Sequence, residues 1–181
     1  MIVSLILGMG LPTPVAYIIV ALALVPFMQQ IGIPPLQAHF FVFYFAVFST
    51  LTPPVAVSVL AAAKLGEATF LSTAKDAMKI ALTTFIIPFA FVFSPELMLF
   101  PNVTWGTMLA VVEVVFVQLA VSVASYGFLI RSLNGFERGV YAFVALSGFL
   151  GFTYDANFWY VAVALFMAIS TYVFVSNKTQ G

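Results

Sequence analysis

Cysteine is absent from the 181 residues, which excludes disulfides, thiolate metal sites and cysteine nucleophiles. The single histidine, His39, argues against a histidine-rich metal centre. Charge is almost as scarce: six Lys and Arg balance six Asp and Glu, only 7% of the chain, where soluble domains carry roughly 25%. Neither a disordered chain nor a soluble helical bundle could wet its surface with so few polar groups. Zero net charge gives no basic patch for nucleic acid or for an anionic membrane surface. No nucleophile–base pair, phosphate loop or metal-ligand spacing occurs, so an enzyme would have no site. Met1-Ile2-Val3-Ser4 also lacks the basic stretch of a signal peptide, and it runs into a glycine-proline break instead of a cleavage site.

What is present is hydrocarbon: 64% of residues are hydrophobic, and the mean hydropathy is +1.17. Crossing the ~30 Å apolar core of a bilayer takes roughly 20 helical residues. Two motifs interrupt stretches apolar enough to do so, Gly8-Met9-Gly10-Leu11-Pro12-Thr13-Pro14 and Leu51-Thr52-Pro53-Pro54. Irregular backbone at membrane depth survives only where protein buries it or where it lines a polar cavity. Paired interruptions of this kind point to a transporter's binding site. The alternative is that proline kinks and glycines serve helix packing alone, as in a non-transporting scaffold or assembly subunit.

Ile2 to Leu7 and Val15 to Met28 each fall short of a span and read as the limbs of a re-entrant hairpin with Gly8 to Pro14 at its tip. The apolar run before Gly8 is so short that the chain reads as starting partway through an element, as a fragment of a longer permease would. Gln29 to Pro35 closes the hairpin, with Gly32 as a helix stop and Pro35 in the first turn of the next helix. Leu36 to Ala63 would be about 42 Å long as one straight helix. Pro53-Pro54 breaks it, because proline lacks an amide donor and clashes one turn back. The expected form is a helix to about Thr50, an unwound link that frees carbonyls near Ser49, Thr50 and Leu51, and a second half-helix from near Pro54. Lys64 to Lys79 reads as a polar surface segment with a helix start at Ser72 to Asp76.

Three or four further spans are expected: Ala77 to Phe93 with Pro88 inside, Thr104 to Tyr126, the shorter Gly139 to Tyr154, and Phe158 to Ser176. The last is entered through the aromatic belt Phe158-Trp159-Tyr160. This divides the chain into 1–93, part of a transport domain, and 94–181, additional transmembrane helices. Every basic residue (Lys64, Lys75, Lys79, Arg131, Arg138, Lys178) then falls on one side of the membrane. The positive-inside rule makes that side, with the C-terminus, cytoplasmic, and Ser94 to Val103 periplasmic.

Gly8 and Gly10 allow positive φ and close approach of another backbone or a ligand. Pro12 and Pro14 keep the hairpin from closing into one helix. The half-helix that follows points its amides and dipole at an anion, with the Thr13 hydroxyl beside them. At the second break the hydroxyls of Thr50 and Thr52 and the carbonyls released by Pro53 and Pro54 are hard oxygen ligands suited to Na⁺. No carboxylate or histidine lies at either motif, so sodium coupling fits better than a side-chain proton relay. Elsewhere, Glu113 is an intramembrane carboxylate, with Gln118 five residues on, and a contact with a neighbouring helix accounts for it equally. His39 reads as a hydrogen-bonding residue near a helix start.

The sequences Gly8-Met9-Gly10-Leu11-Pro12-Thr13 and Leu51-Thr52-Pro53-Pro54-Val55-Ala56 resemble the second inverted repeat of the large membrane subunit of TRAP (tripartite ATP-independent periplasmic) transporters. The fused-permease type, paired with a TAXI-class binding protein, is the nearest likeness. Tyr126 to Arg131 with Phe136-Glu137-Arg138 is similar to the extra helices that end such permeases. Another branch of the family often has Asp before the Thr of the first motif, where this chain has Pro12. The resemblance implies an all-α polytopic inner-membrane protein, with one half of an inverted-repeat, elevator-type transport domain. It further implies sodium and substrate sites at the two breaks, formed from Gly8, Gly10, Pro12, Thr13, Thr50, Thr52, Pro53 and Pro54. No cofactor beyond Na⁺ as coupling ion is implied. The expected partners are a periplasmic binding protein, a first repeat, a small-subunit-like region and lipid, and the expected cargo is an organic anion such as a C4-dicarboxylate.

Overall fold

A computed structural model describes residues 1–98, 103–154 and 156–180. The chain divides into two compact units, Met1–Met98 and Leu99–Gly181. The described residues are helical nearly throughout. Four stretches among them are long and apolar enough to cross a membrane: Thr13–Gln30, Phe70–Phe93, Trp105–Tyr126 and Asn157–Asn177. The protein is therefore an all-α polytopic membrane protein.

In the first unit α1 (Ile2–Gly8) turns at Met9 to Pro12 into α2 (Thr13–Gln30), and both pack on α3 (Pro35–Phe48). The shared core is Leu5, Val20, Val25, Met28, Phe41, Val42 and Phe45. Phe45, fully buried, meets the rings of Phe41, Phe85 and Phe89 at centroid distances of 4.9, 5.6 and 6.0 Å. These edge-on pairs add to what the buried area alone contributes. Pro35 opens α3 as expected. The second limb of the hairpin is longer than the Val15 to Met28 expected: Pro14 fits the first turn, and the helix runs through Pro26 to Gln30. It is long enough to span.

The broken helix also differs in detail. α3 ends at Phe48, and α4 (Val57–Leu65) starts three residues beyond Pro54. Consecutive tight turns, Thr50 amide to Val47 carbonyl, Leu51 to Phe48 and Thr52 to Ser49, unwind the chain before the prolines are reached. α5 (Phe70–Thr84) begins at Thr69, whose hydroxyl caps the Ser72 amide, and not at Ser72 to Asp76. Lys64 to Lys79 thus belongs largely to helix, and its second half opens a stretch of spanning length. α6 (Ile86–Phe93) follows after a break at Phe85. Pro88 has no amide to offer the Thr84 carbonyl four residues back, which accounts for the interruption.

The second unit packs α8 (Gly135–Thr153) against α7 (Trp105–Tyr126) and α9 (Ala156–Gln180). α7 is closed by a Thr104–Thr107 capping box at one end and by Gly127 in the left-handed conformation, φ 66°, at the other. α8 starts at Gly135, four residues before the expected Gly139, because Asn134 and Glu137 form a reciprocal capping box. It is not apolar enough to count among the four spanning stretches. The half-buried Trp159 ring packs edge-on against Phe116, 4.9 Å between centroids. Gly148 and Gly151 make the space. A Cβ on Gly148 would lie 2.7 Å from Val117 Cγ2. Gly148→Ala should therefore cost about 1–3 kcal/mol by overpacking, read as a lowered unfolding temperature of the detergent-solubilised protein.

Glu137, 1% exposed, takes a bidentate grip from Arg131, Nη2 to Oε1 at 2.6 Å and Nη1 to Oε2 at 3.1 Å. Arg131 holds its carboxyl below the ordinary glutamate value of 4.5, helped by the Asn134 amide and opposed by burial. A carboxyl whose folded pKa is depressed stabilises the fold above its unfolded pKa and loses that contribution as pH falls through the folded value. Stability of the second unit should accordingly decline as pH drops below about 4.5. In pH-dependent unfolding, Glu137→Gln should flatten that decline.

Candidate functional site

The two motifs meet. Gly8, buried at the end of α1, lies under Ser49 at the end of α3, where an added Cβ would stand 2.5 Å from Ser49 Oγ and 2.8 Å from its Cβ. The Ser49 hydroxyl, fully buried, is shared between the Gly8 carbonyl at 2.9 Å and the Ala46 carbonyl at 2.6 Å. Gly10 has φ 74°, a region open to glycine at no steric cost, and a Cβ there would approach Val55 Cγ1 to 3.1 Å. Gly8 and Gly10 thus seat the hairpin tip on the second break, Ser49 to Ala56.

Ser49 had no place among the expected site residues. As a lone serine before Thr50 it looks like one more hydroxyl in a polar turn, and only the packing of α1 on α3 reveals that it reaches 41 residues back. The usable signal was a small residue, Gly8, at the end of one interrupted helix and a hydroxyl, Ser49, at the end of the other.

The second break is closed on itself. The Ser58 amide donates to the Thr50 carbonyl at 3.2 Å and the Thr52 amide to the Ser49 carbonyl at 3.3 Å. Carbonyls expected to stand free at Ser49 and Thr50 are thus each given one partner by the unwound turn itself, as burial of backbone requires. Pro53 and Pro54, joined by a cis peptide, and Val55 are exposed. Ala56 is fully buried at φ 40°, a conformation few non-glycine residues adopt. Such outliers concentrate at sites where the surrounding structure over-determines the backbone.

The threonines split by element. Thr50 Oγ1 donates to the Val47 carbonyl and Thr52 Oγ1 to the Phe48 carbonyl, both at 2.9 Å. Thr13, half-buried, stands in the first turn of α2, where Pro12 supplies the cap position and its carbonyl receives the Ala16 amide at 3.0 Å. Among the described residues no hydrogen bond joins Thr13 to Thr50 or Thr52. The glycines and Ser49 bring the motifs together, then, and the threonine hydroxyls do not. His39 bonds through Nδ1 to the Tyr17 hydroxyl at 2.8 Å, tying α2 to α3 away from the breaks.

A hairpin tip seated on an interrupted helix inside an apolar chain is shared by more than one transporter architecture. The family model described as "Tripartite ATP-independent periplasmic transporter, DctM component" matches residues 1–106. The chain belongs to that family. No curated protein and no solved structure matches it. The match takes in the first unit with both breaks and ends at the start of α7. The protein is thus a membrane permease component of a TRAP transporter, a family of transporter components and not of enzymes. It is a multi-pass inner-membrane protein, and membership implies a periplasmic binding protein and a small membrane subunit as partners.

Proposed function

We propose that the seated tip and the unwound link form one half of the binding site of a Na⁺-coupled permease importing organic anions, with C4-dicarboxylate-like or other carboxylates as cargo. The observation that carries this reading is the close seating of Gly8 and Gly10 on Ser49 and Val55. It places the N-terminal turn of α2 and the hydroxyls of the second break at one end of the same packed helices. The first amides of α2 lack acceptors within their helix and favour an anion. Thr50 and Thr52 aim their hydrogens at carbonyls of α3, which leaves oxygen lone pairs for a hard cation such as Na⁺. Thr13 is the third candidate ligand. A TAXI-type binding protein as donor of the cargo, and a fused permease as the whole chain, complete the proposal. The test is uptake by the complete permease with its binding protein, screened against organic acids with and without sodium. Sodium-independent uptake would leave the second break a packing device.

Orientation belongs to the same proposal: the Lys64 to Lys79 and Phe128 to Arg138 segments and Lys178 face the cytoplasm. Residues 99–102 of the Ser94 to Val103 loop and the Lys178 side chain lie outside the described residues. Because the chain has no cysteine, single cysteines at Ser72, Asn102 and Ser132 can be probed with an impermeant thiol reagent. Asn102→Cys should label in intact cells, and Ser72→Cys and Ser132→Cys only after permeabilisation. The reverse pattern overturns the orientation.

A further inference from the structure

The turn between α7 and α8, with the first turn of α8, carries two arginines yet presents hydrocarbon. Phe128, Ile130 and Phe136 are 59%, 47% and 78% exposed. Nη1 and Nη2 of Arg131 and Nε and Nη2 of Arg138 are bound within the protein, while the buried Arg131 Nε has no partner among the described residues. Arg131 grips Glu137, while Arg138 Nε donates to the Ala124 carbonyl at 3.0 Å and its Nη2 to the Ser125 carbonyl at 3.3 Å. That puts a cation on the carbonyl end of α7, where the helix dipole favours it. The turn is also pinned. Phe128 and Ser132 form an isolated bridge, the Leu133 amide donates to the Gly127 carbonyl at 2.8 Å, and Leu133 is buried with Val123, Tyr141 and Val173.

We propose that this turn is a membrane-interface anchor, whose Phe128, Ile130 and Phe136 side chains sit at the boundary between headgroups and acyl chains of the bilayer. Three observations select lipid as the occupant. α7, at 22 residues, is about 33 Å long and just outreaches the ~30 Å apolar core, so the residues after Tyr126 fall at headgroup depth. Met108, Val112, Val115, Leu119 and Tyr126 on α7 are also exposed apolar or aromatic side chains, so the anchor would extend the hydrocarbon that this spanning helix itself presents. The pairing of most of the arginine nitrogens, and of the Ala124 and Ser125 carbonyls, lowers the cost of holding charge and backbone near the apolar phase. An aqueous turn has no need of that pairing and would not leave two phenylalanines bare.

The experiment uses nitroxide-labelled single-cysteine variants of the complete permease, Phe128→Cys, Ile130→Cys and Phe136→Cys, in phosphatidylcholine–phosphatidylglycerol nanodiscs. Val112→Cys, mid-α7, is the lipid reference. Dissolved oxygen should relax all three labels strongly and a water-soluble nickel chelate weakly. The depth so derived should be shallower than at Val112→Cys yet below the phosphates. Strong relaxation by the nickel chelate at all three positions means an aqueous turn and overturns the anchor. Inaccessibility to both agents means that another protein segment covers the turn and overturns it equally. Phe136→Trp in a permease whose other tryptophans, Trp105 and Trp159 among them, are replaced by Phe offers an independent reading, since brominated lipid should quench it and an anchor-free turn would be insensitive.

Discussion

Gly8→Ala should abolish uptake by the complete permease at unchanged membrane expression. The methyl group would enter a space already filled by Ser49 Oγ at 2.5 Å and Ser49 Cβ at 2.8 Å. Ser49 has nowhere to yield, because its hydroxyl is held by two carbonyls in a fully buried position. Overpacking of this kind costs about 1–3 kcal/mol when the surroundings relax. Here relaxation means lifting the hairpin tip off the second break, which separates the two halves of the proposed site. Ser49→Gly removes both clashing atoms and should return a measurable part of the activity in the Gly8→Ala background. A coupling of that kind marks direct contact between the two positions. Uptake at the parental rate in Gly8→Ala alone would show that the seating is dispensable.

The second large effect is expected at Thr52. Thr52→Val keeps shape and β-branching and deletes the oxygen proposed to face Na⁺. A lost contact to a charged group costs on the order of 1.5–3 kcal/mol, roughly ten- to a hundredfold in affinity. It should appear as a raised sodium half-saturation with the unfolding temperature little changed. The bond from Thr52 Oγ1 to the Phe48 carbonyl is lost as well, so Thr171→Val, which loses the same kind of bond to the Met167 carbonyl on α9 outside the proposed site, is the internal comparison. An unchanged sodium half-saturation and rate in Thr52→Val would remove this hydroxyl from the site and favour packing as the purpose of the break.

Local chemistry made much of this fold legible. Prolines with no amide to give, at 53, 54 and 88, announced the interruptions, and Pro35 announced a helix start. Long apolar stretches announced the helices from Trp105 and Ala156 onward. Boundaries set by side chains reaching back to the backbone were harder to see. Thr69 capping α5 and Asn134 pairing with Glu137 each moved a helix start upstream, since a cap competes on equal terms with any nearby Ser or Asp. In the site, Gly8 and Gly10 were legible as places of close approach, because glycine is the residue that permits it. Their counterparts were not. Ser49 and Val55 are ordinary residues whose significance depends on which helix packs on which, and that is decided by the aromatic core around Phe45.

The modest apolarity of α8 bears on how the protein enters the membrane. A helix that opens with Glu137 and Arg138 and falls short of spanning hydropathy gains too little from lipid to partition unaided. Its polar groups are answered by neighbours: Arg131 for Glu137, the end of α7 for Arg138, Ser170 for Tyr141 and the Phe158 carbonyl for Ser147. Two of those partners lie on α9, which follows α8 in the chain. The polar groups of α8 are therefore fully answered only with α9 in place beside it, and the two helices should insert stably as a pair.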